Sequence, residues 1–360
     1  MKITDIQVRN YRNYASAEVR LGGGVNLFVG DNAQGKTNLL ESVRLASVGR
    51  SARTPRWQEL IKWGEQEALV RVRVVRQVGG DEISVRLGKA KAFFVNGLPL
   101  SRMGELMGVL RTVLFSPDEL RIVKDGPGER RRFMDIAVCQ LSRAYFYTLT
   151  RYNKALAQRN RLLKNAPTDD AVEVWDMQLA REGARVIKTR RGFVARLAEL
   201  ARGIHRDLSG GEELELSYEG VEGEDVEDIG RNFLAELKKS RSRDRAFGLT
   251  HVGPQRDDLA IVADGADIRA FGSQGQQRTA ALSLKLAETE LFGETSGEYP
   301  VLLLDDVLSE LDEKRQAKLL ERIKAYQTIV TCTGLTAQVR EQLGEVTEFR
   351  VTGGEIAPVR

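Results

Sequence analysis

Gly30-Asp31-Asn32-Ala33-Gln34-Gly35-Lys36-Thr37 fits the spacing G-x-x-x-x-G-K-[ST] without a mismatch, and Asn38 follows directly. Such a loop turns successive backbone N–H groups toward a polyphosphate, and the helix behind it adds partial positive charge. Gly35 lets the backbone approach closely, Lys36 reaches the β- and γ-phosphates, and the Thr37 hydroxyl is a ligand for Mg²⁺. A second group suits the same chemistry. Val301-Leu302-Leu303-Leu304 is apolar and ends in Asp305-Asp306. A buried parallel strand of this kind delivers its last residues to the edge where α/β ligands bind. Asp305 can hold Mg²⁺ directly or through water, and Asp306 can orient or deprotonate an attacking water. Together the loop and the acidic strand point to nucleoside-triphosphate hydrolysis, with Lys36 and Asp306 as its catalytic residues.

Two further segments compete for a second phosphate contact: Leu208-Ser209-Gly210-Gly211-Glu212 and Phe271-Gly272-Ser273-Gln274-Gly275-Gln276. A serine that faces phosphate belongs at a helix N-terminus, where unpaired N–H groups and the helix dipole favour an anion. After Glu212, the residues Leu214, Leu216 and Tyr218 alternate as in a strand. After Gly275, the residues Ala280, Leu284, Ala287 and Leu291 recur at helical spacing. The choice therefore falls on Ser273, Gly275 and Gln276, with the earlier segment as a loop.

These residues need a framework, and the pattern supplies one. Ile6 and Val8, then Val19 and Leu21, alternate with polar residues as strands do, and Val25–Val29 is a buried-type strand feeding the loop. Lys36–Val48 reads as a helix with Leu39, Val43 and Ala46 on one face. Gly79-Gly80 and Asn96-Gly97 mark hairpin turns. Residues 129–164 and 171–208 carry helical periodicity, broken at Asn165-Ala166-Pro167, which predicts a two-helix hairpin. Strand character returns at Leu259–Val262.

Composition narrows the class. The 360 residues are 42% hydrophobic and 29% charged, enough for a packed core and about two domains. Only Cys139 and Cys332 are present, far apart, with two histidines, His205 and His251. That excludes a disulfide scaffold and a multi-histidine metal site, and it suits a reducing cytoplasm. No apolar run approaches the ~18 residues of a membrane span, and the N-terminal residues do not read as a secretory leader. The net charge of +4 is unevenly spread: residues 124–210 carry 18 basic and 10 acidic side chains, while residues 211–230 carry nine acidic and no basic ones. Arg130-Arg131-Arg132 and Lys238–Arg245 are basic clusters that suit DNA phosphates, though each also reads as a solvated or bracing helix face. His251 reads as a brace, and both cysteines as inert core residues.

The order phosphate loop, S-x-G-Q, then Leu-Leu-Leu-Asp-Asp with Ser309-Glu310-Leu311-Asp312 is similar to the layout of ABC-type ATPase heads. Asn10-Tyr11-Arg12-Asn13-Tyr14, the loop block itself, Phe115–Leu120, Gly128–Asp135 and His251–Leu259 closely resemble the RecF family of bacterial DNA-repair ATPases. The resemblance spans nearly the whole chain. It implies an α/β fold, an ABC-type P-loop ATPase head with an inserted, mainly helical lobe whose short αα-hairpin stands in place of a coiled coil. Residues 1–122 and 251–360 would form the discontinuous head and residues 123–250 the insert. It implies ATP and Mg²⁺ as ligands, with Arg12 and Asn13 near adenine and phosphates. Two copies would close around two ATPs, Ser273, Gly275 and Gln276 acting in trans on the partner's nucleotide. Hydrolysis would be weak and coupled to dimer dissociation and DNA release. The implied partners are gapped DNA with single-/double-strand junctions, RecO, RecR and RecA, with no membrane. The general ABC pattern has a histidine where Thr328–Thr333 stands, a Q-loop glutamine not evident near Phe115–Leu120, and a glutamate at Asp306. A transporter's nucleotide-binding subunit is the alternative, but it leaves the arginine block unexplained. A GTPase lacks its N-K-x-D motif here, and a double-strand-break nuclease ATPase would need a zinc hook and longer coiled coils.

Overall fold

The computed structural model describes residues 1–165 and 168–359. Packing divides the chain into two units, Met1–Leu120 with Ala281–Arg360, and Arg121–Ala280.

The first unit opens with β1 (Lys2–Tyr11), β2 (Tyr14–Arg20), β3 (Val25–Val29) and helix α1 (Lys36–Val48). It continues through β4 (Ala68–Val75), β5 (Gly80–Leu87), β6 (Lys91–Val95), β7 (Leu98–Pro99) and β8 (Thr112–Phe115). The second unit holds α2 (Arg121–Lys124), α3 (Pro127–Leu141), α4 (Arg143–Leu163), α5 (Asp169–Ser209), β9 (Leu214–Glu219) and α6 (Val226–Phe247). It ends with β10 (Asp258–Ala263), β11 (Ala266–Asp267), α7 (Ile268–Phe271) and the start of α8 (Gln274–Ser296). The chain then completes the first unit with β12 (Val301–Asp305), α9 (Glu313–Ile323), β13 (Thr328–Cys332), α10 (Ala337–Leu343), β14 (Val346–Thr352) and β15 (Glu355–Pro358).

Two six-stranded sheets build the first unit, in the orders β2-β1-β4-β5-β6-β7 and β15-β14-β3-β13-β12-β8. The former is antiparallel, closed by turns at Gly79 and Asn96-Gly97, where positive φ at Asn96 and Gly97 gives the twist a two-residue hairpin needs. In the latter, β14, β3, β13, β12 and β8 run parallel. Parallel strands covered on both faces read as continuous apolar runs, and Val301–Leu304 and Ile329–Val330 are fully buried. Helix α1 packs against strands of both sheets. It is therefore buried nearly all round rather than on the single face that Leu39, Val43 and Ala46 suggest. Its buried polar side chains are satisfied: Arg44 donates to the Thr112 carbonyl at 2.8 Å and Ser47 Oγ to the Leu110 carbonyl at 2.9 Å.

In the second unit the expected first helix is two. Ser142 adopts extended backbone, ends α3 and caps α4 by accepting from Tyr145 N. The break expected at Asn165-Ala166-Pro167 lies partly outside the described residues. Helix α5 has 41 residues and starts behind Thr168, whose side chain accepts from Ala171 N. The acidic stretch supplies β9 and the N-terminus of α6, where Asp225 caps and Glu227 and Asp228 complement the helix dipole. Lys238–Arg245 is helical, within α6. Residues 251–280, expected with the head, cluster with this unit. The cause is pairing of β10 with β9, from Asp258↔Glu219 to Ala263↔Leu214.

Candidate nucleotide site

The phosphate loop connects β3 to α1 in the first unit. Sheet order β3-β13-β12 and the registers Thr331↔Phe28 and Asp305↔Thr331 bring the ends of three strands to one level. The consequence is a compact oxygen cluster. Thr37 Oγ1 and Thr331 Oγ1 each donate to Asp305 Oδ1 at 2.8 Å. Burial pushes the Asp305 carboxyl above its ordinary range, against the pull of these two hydroxyls. A half-buried carboxylate beside a hydroxyl, with oxygen donors only, fits Mg²⁺, which takes few protein ligands and keeps several waters. Thr37 and Asp305 are the residues that would hold it.

Asp306 takes left-handed backbone, at φ 56° and ψ 18°. Its N–H donates to Thr331 O at 3.2 Å, which fixes this conformation. Left-handed aspartate costs on the order of 1 kcal/mol or more and persists where surrounding contacts over-determine it. Among the described residues the Asp306 carboxylate accepts no hydrogen bond, so its oxygens are available to water.

The loop is a cradle. Among the described residues, the amides of Asp31, Asn32, Ala33 and Gly35 find no hydrogen-bond acceptor, whereas Gly30 N donates to Cys332 O at 3.3 Å. A Cβ on Gly30 would lie 2.2 Å from Val351 O, and one on Gly35, at φ 118°, would lie 2.6 Å from Asn13 Nδ2. Both positions require glycine. Lys36 Nζ donates to the carbonyls of Gly30 at 2.6 Å and Asp31 at 2.9 Å, which holds the ammonium over the loop.

A brace that the loop motif does not reveal holds the cradle from behind. Asn13 Nδ2 donates to Gln34 O, and Asn13 Oδ1 accepts from Asn38 Nδ2, each at 2.8 Å. Tyr14 OH donates to Gly35 O at 2.9 Å. Gly353 N donates to Gln34 Oε1 at 2.6 Å and Gly354 N to Gln34 O at 3.1 Å. Asn13 and Gln34 thus act through the backbone that faces the ligand. Arg12, itself at positive φ, makes a bidentate pair with Glu41 of α1, both bonds 2.8 Å, and donates to Glu59 O at 2.9 Å. It fastens the β1–β2 hairpin to the helix. Asp31, Asn32 and Ala33 are exposed at the loop tip, Ala33 with positive φ.

Ser273, Gly275 and Gln276 lie in the second unit, at the N-terminus of α8. Ser273 Oγ accepts from Gln276 N at 3.2 Å and Gln276 Oε1 accepts from Ser273 N at 2.9 Å, a reciprocal capping box. Ser273 is exposed. The competing Ser209-Gly210-Gly211 lies instead at the C-terminus of α5, with Gly210 as a left-handed cap whose N–H donates to Arg206 O. That end of the helix dipole repels phosphate.

The surroundings of the arginine block separate its three members. Arg130 is 3% exposed, makes two 2.7 Å bonds to Asp258 and donates to Asp125 O at 2.8 Å. It braces the second unit and is not presented to DNA. Arg131 donates to Asp257 O at 2.8 Å, and Arg132 lies 3.9 Å from Glu129 with its side chain 39% exposed. His251 Nδ1 lies 2.8 Å from the buried Asp244 and belongs to the helical unit's own bracing. Cys139 and Cys332 are buried, and burial raises the Cys332 thiol to about 11.

A parallel sheet with a phosphate loop at its centre and an acidic strand two places away, interrupted by a helical segment, defines a P-loop head of the SMC type. Residues 2–352 match the family described as RecF/RecN/SMC N terminal domain. The fold is similar to an Smc head bound to the C-winged helix domain of ScpA, at a TM-score of 0.59 and 16% identity over 100% of this chain and 97% of that one. Similarity is much higher to DNA replication and repair protein RecF of Alkaliphilus oremlandii, 47% identical over 92% of this chain and 93% of that protein. RecF of Lachnoclostridium phytofermentans is 44% identical over 99% of both chains. A solved structure of the recombination mediator protein RecF-ATP in the RecFOR pathway matches at a TM-score of 0.92 and 37% identity, covering 99% of each chain. The chain belongs to the RecF family.

Proposed function

We propose that this chain is a DNA-repair ATPase whose two copies close around ATP, that it binds gapped DNA at single-/double-strand junctions, and that it helps load RecA with RecO and RecR. The observation that carries the reading is the split of phosphate chemistry between two places in the chain. The cradle with Lys36, Thr37, Asp305 and Asp306 belongs to one packing unit, and the exposed Ser273 cap belongs to the other. An ATP held by one copy's cradle then takes its γ-phosphate donors from the partner's Ser273 and the amides of its α8 N-terminus. The functional head on this reading is composite, drawing residues 251–280 into the ATPase although they pack with the helical unit. ATP-bound relatives support the nucleotide, and the RecFOR pathway of those relatives supports the partners.

Each residue has a task in hydrolysis. The amides of Asp31, Asn32, Ala33 and Gly35 and Lys36 Nζ bind the phosphates. Thr37 and Asp305 would hold Mg²⁺, which when bound would supply charge neutralisation to the phosphates. Thr331 keeps Asp305 aimed at that position. Asp306, fixed by its backbone and free of protein donors, orients water and takes its proton. Ser273 Oγ accepts from Gln276 N, so its own proton is directed away from the cap and toward a phosphate oxygen. Loss of the γ-phosphate removes these trans contacts and loosens the dimer. Turnover is slow, as an aspartate base without a histidine partner implies. The basic excess of residues 124–210 supplies non-specific attraction to DNA, with binding that weakens steeply as salt rises. The reading assigns the protein to the cytoplasm; among the described residues no helix is long and apolar enough to cross a membrane.

Light scattering with and without ATP–Mg²⁺ tests the dimer. The mass doubles with ATP for the native chain and stays monomeric for Lys36→Met and Ser273→Arg. ATP binding with no change of mass, with or without DNA, would return the chain to a single-subunit P-loop enzyme.

A further inference from the structure

The Leu208–Glu212 segment is a helix end rather than a phosphate loop, yet it touches the Ser273 cap. Glu212 Oε1 accepts from Gln276 Nε2 at 3.1 Å. Gln276 Oε1 accepts from Ser273 N, and Gln276 N donates to Ser273 Oγ. A glutamine side chain can turn its amide over, exchanging its acceptor for its donors. An ionised carboxylate accepts only, so Glu212 requires the Gln276 NH₂ to face it. The carbonyl end must then face Ser273 N–H, and the reversed amide would set donor against donor. Glu212 is itself held. Its N–H donates to Ser209 Oγ at 3.0 Å, directly after the α5 end, where Gly211 N donates to Arg206 O at 2.9 Å. Its other carboxylate oxygen lies 3.4 Å from Nε2 of the buried His205.

We infer that Glu212 is a positioning residue for the trans phosphate contact: by fixing the Gln276 amide it locks the capping box and with it the direction of the Ser273 hydroxyl. The inference rests on the dimer reading for its effect on ATP, though not for the geometry of the cap.

Three variants separate the possibilities: Glu212→Ala, Gln276→Glu, and the double variant Glu212→Gln with Gln276→Glu. Two readouts are taken, amide hydrogen exchange over residues 273–277 in the nucleotide-free monomer and ATP-driven dimerisation. Glu212→Ala speeds exchange at Gln276 about tenfold, the equivalent of one hydrogen bond to a charged group. It weakens dimerisation about hundredfold, because a two-fold dimer carries two altered caps, while ATP binding to the monomer is unchanged. Gln276→Glu sets two carboxylates against each other and loses both readouts. The double variant restores both to within about threefold of native, since glutamine at 212 then donates to the carboxylate at 276. A loss of general packing at 212 would not be repaired by a change at 276. The inference is overturned if Glu212→Ala behaves as native, or if the double variant is as defective as the single ones. If the native chain fails to dimerise with ATP, the dimer reading falls, and the exchange arm alone decides whether Glu212 positions the cap.

Discussion

Asp305, Asp306 and Thr331 show what separate side chains contribute when three strand ends meet. Thr331 lies in the segment Thr328–Thr333, and its hydroxyl holds Asp305 Oδ1. Thr331→Val keeps the shape and removes that donor. Turnover is expected to fall about tenfold, the value of one hydrogen bond to a charged group, with ATP affinity within about threefold of native. Steady-state hydrolysis beside nucleotide titration reads the two separately. Asp306→Asn keeps a residue that tolerates left-handed backbone and removes the base. Hydrolysis is expected to fall at least about hundredfold while ATP-driven association persists and lasts longer, measured by turnover and by dimer lifetime. The candidate site residues were legible in the sequence because each group is contiguous, loop or strand end, with a spacing that carries its own geometry. The brace was not legible. Gln34 meets Gly353 across 319 positions, and no local spacing announces such a contact. Arg12 and Asn13, expected near adenine and phosphates, also bond the protein around the loop, Arg12 to Glu41 and Asn13 to the Gln34 carbonyl. Arg130 was open to two readings, a DNA contact or a brace, and its pair with Asp258, 128 residues away, is what no local spacing announces.

At the scale of elements, the second unit depends on a buried charge group that ties α4, α5 and α6 together. Arg159, Asp176 and Asp244 are all 0% exposed, with Arg159 bonded to Asp176 at 2.6 Å and to Asp244 at 2.7 Å. Arg159→Met fills similar volume and leaves Asp176 with Arg241, and Asp244 with Ser240 and His251. It should cost about 3 kcal/mol, because breaking a buried charge group leaves its carboxylates only partly compensated, and a urea melt of the full chain reads it. His205 near the end of α5 gives this unit a pH response. Burial lowers its pKa from the ordinary 6.5, while Glu212 and Asp264 pull it up. The folded state thus favours the neutral ring, so this stability is fully present above about pH 6.5 and is lost as pH falls below it. Thermal melts from pH 7.5 to 5 should show a declining midpoint whose slope flattens in His205→Gln. Helices and strands were legible from period, and the choice of α8 over the α5 terminus followed from which end of a helix attracts phosphate. The Ser142 break was not legible, since apolar positions on either side keep helical spacing across it while the serine caps the second helix.

For the whole molecule, the division into units departs from the sequence expectation at residues 251–280. Strand β10 reads as part of a final α/β portion, but it pairs with β9, whose alternation shows a strand without naming its partner. The P-loop cradle and the Ser273 cap thus belong to different packing units of one chain, and the proposed trans arrangement is the claim on which the account stands. Mixing Lys36→Met with Ser273→Arg tests it directly. Each variant alone lacks one half of every composite site and should not hydrolyse ATP. A mixed dimer has one complete site, the Ser273→Arg copy giving its cradle and the Lys36→Met copy its Ser273. The mixture is expected to recover hydrolysis, up to about half of the native rate at equal concentrations, because neither variant pairs with itself and each mixed dimer carries one of two sites. No recovery, while both variants remain folded and mix freely, would contradict the account.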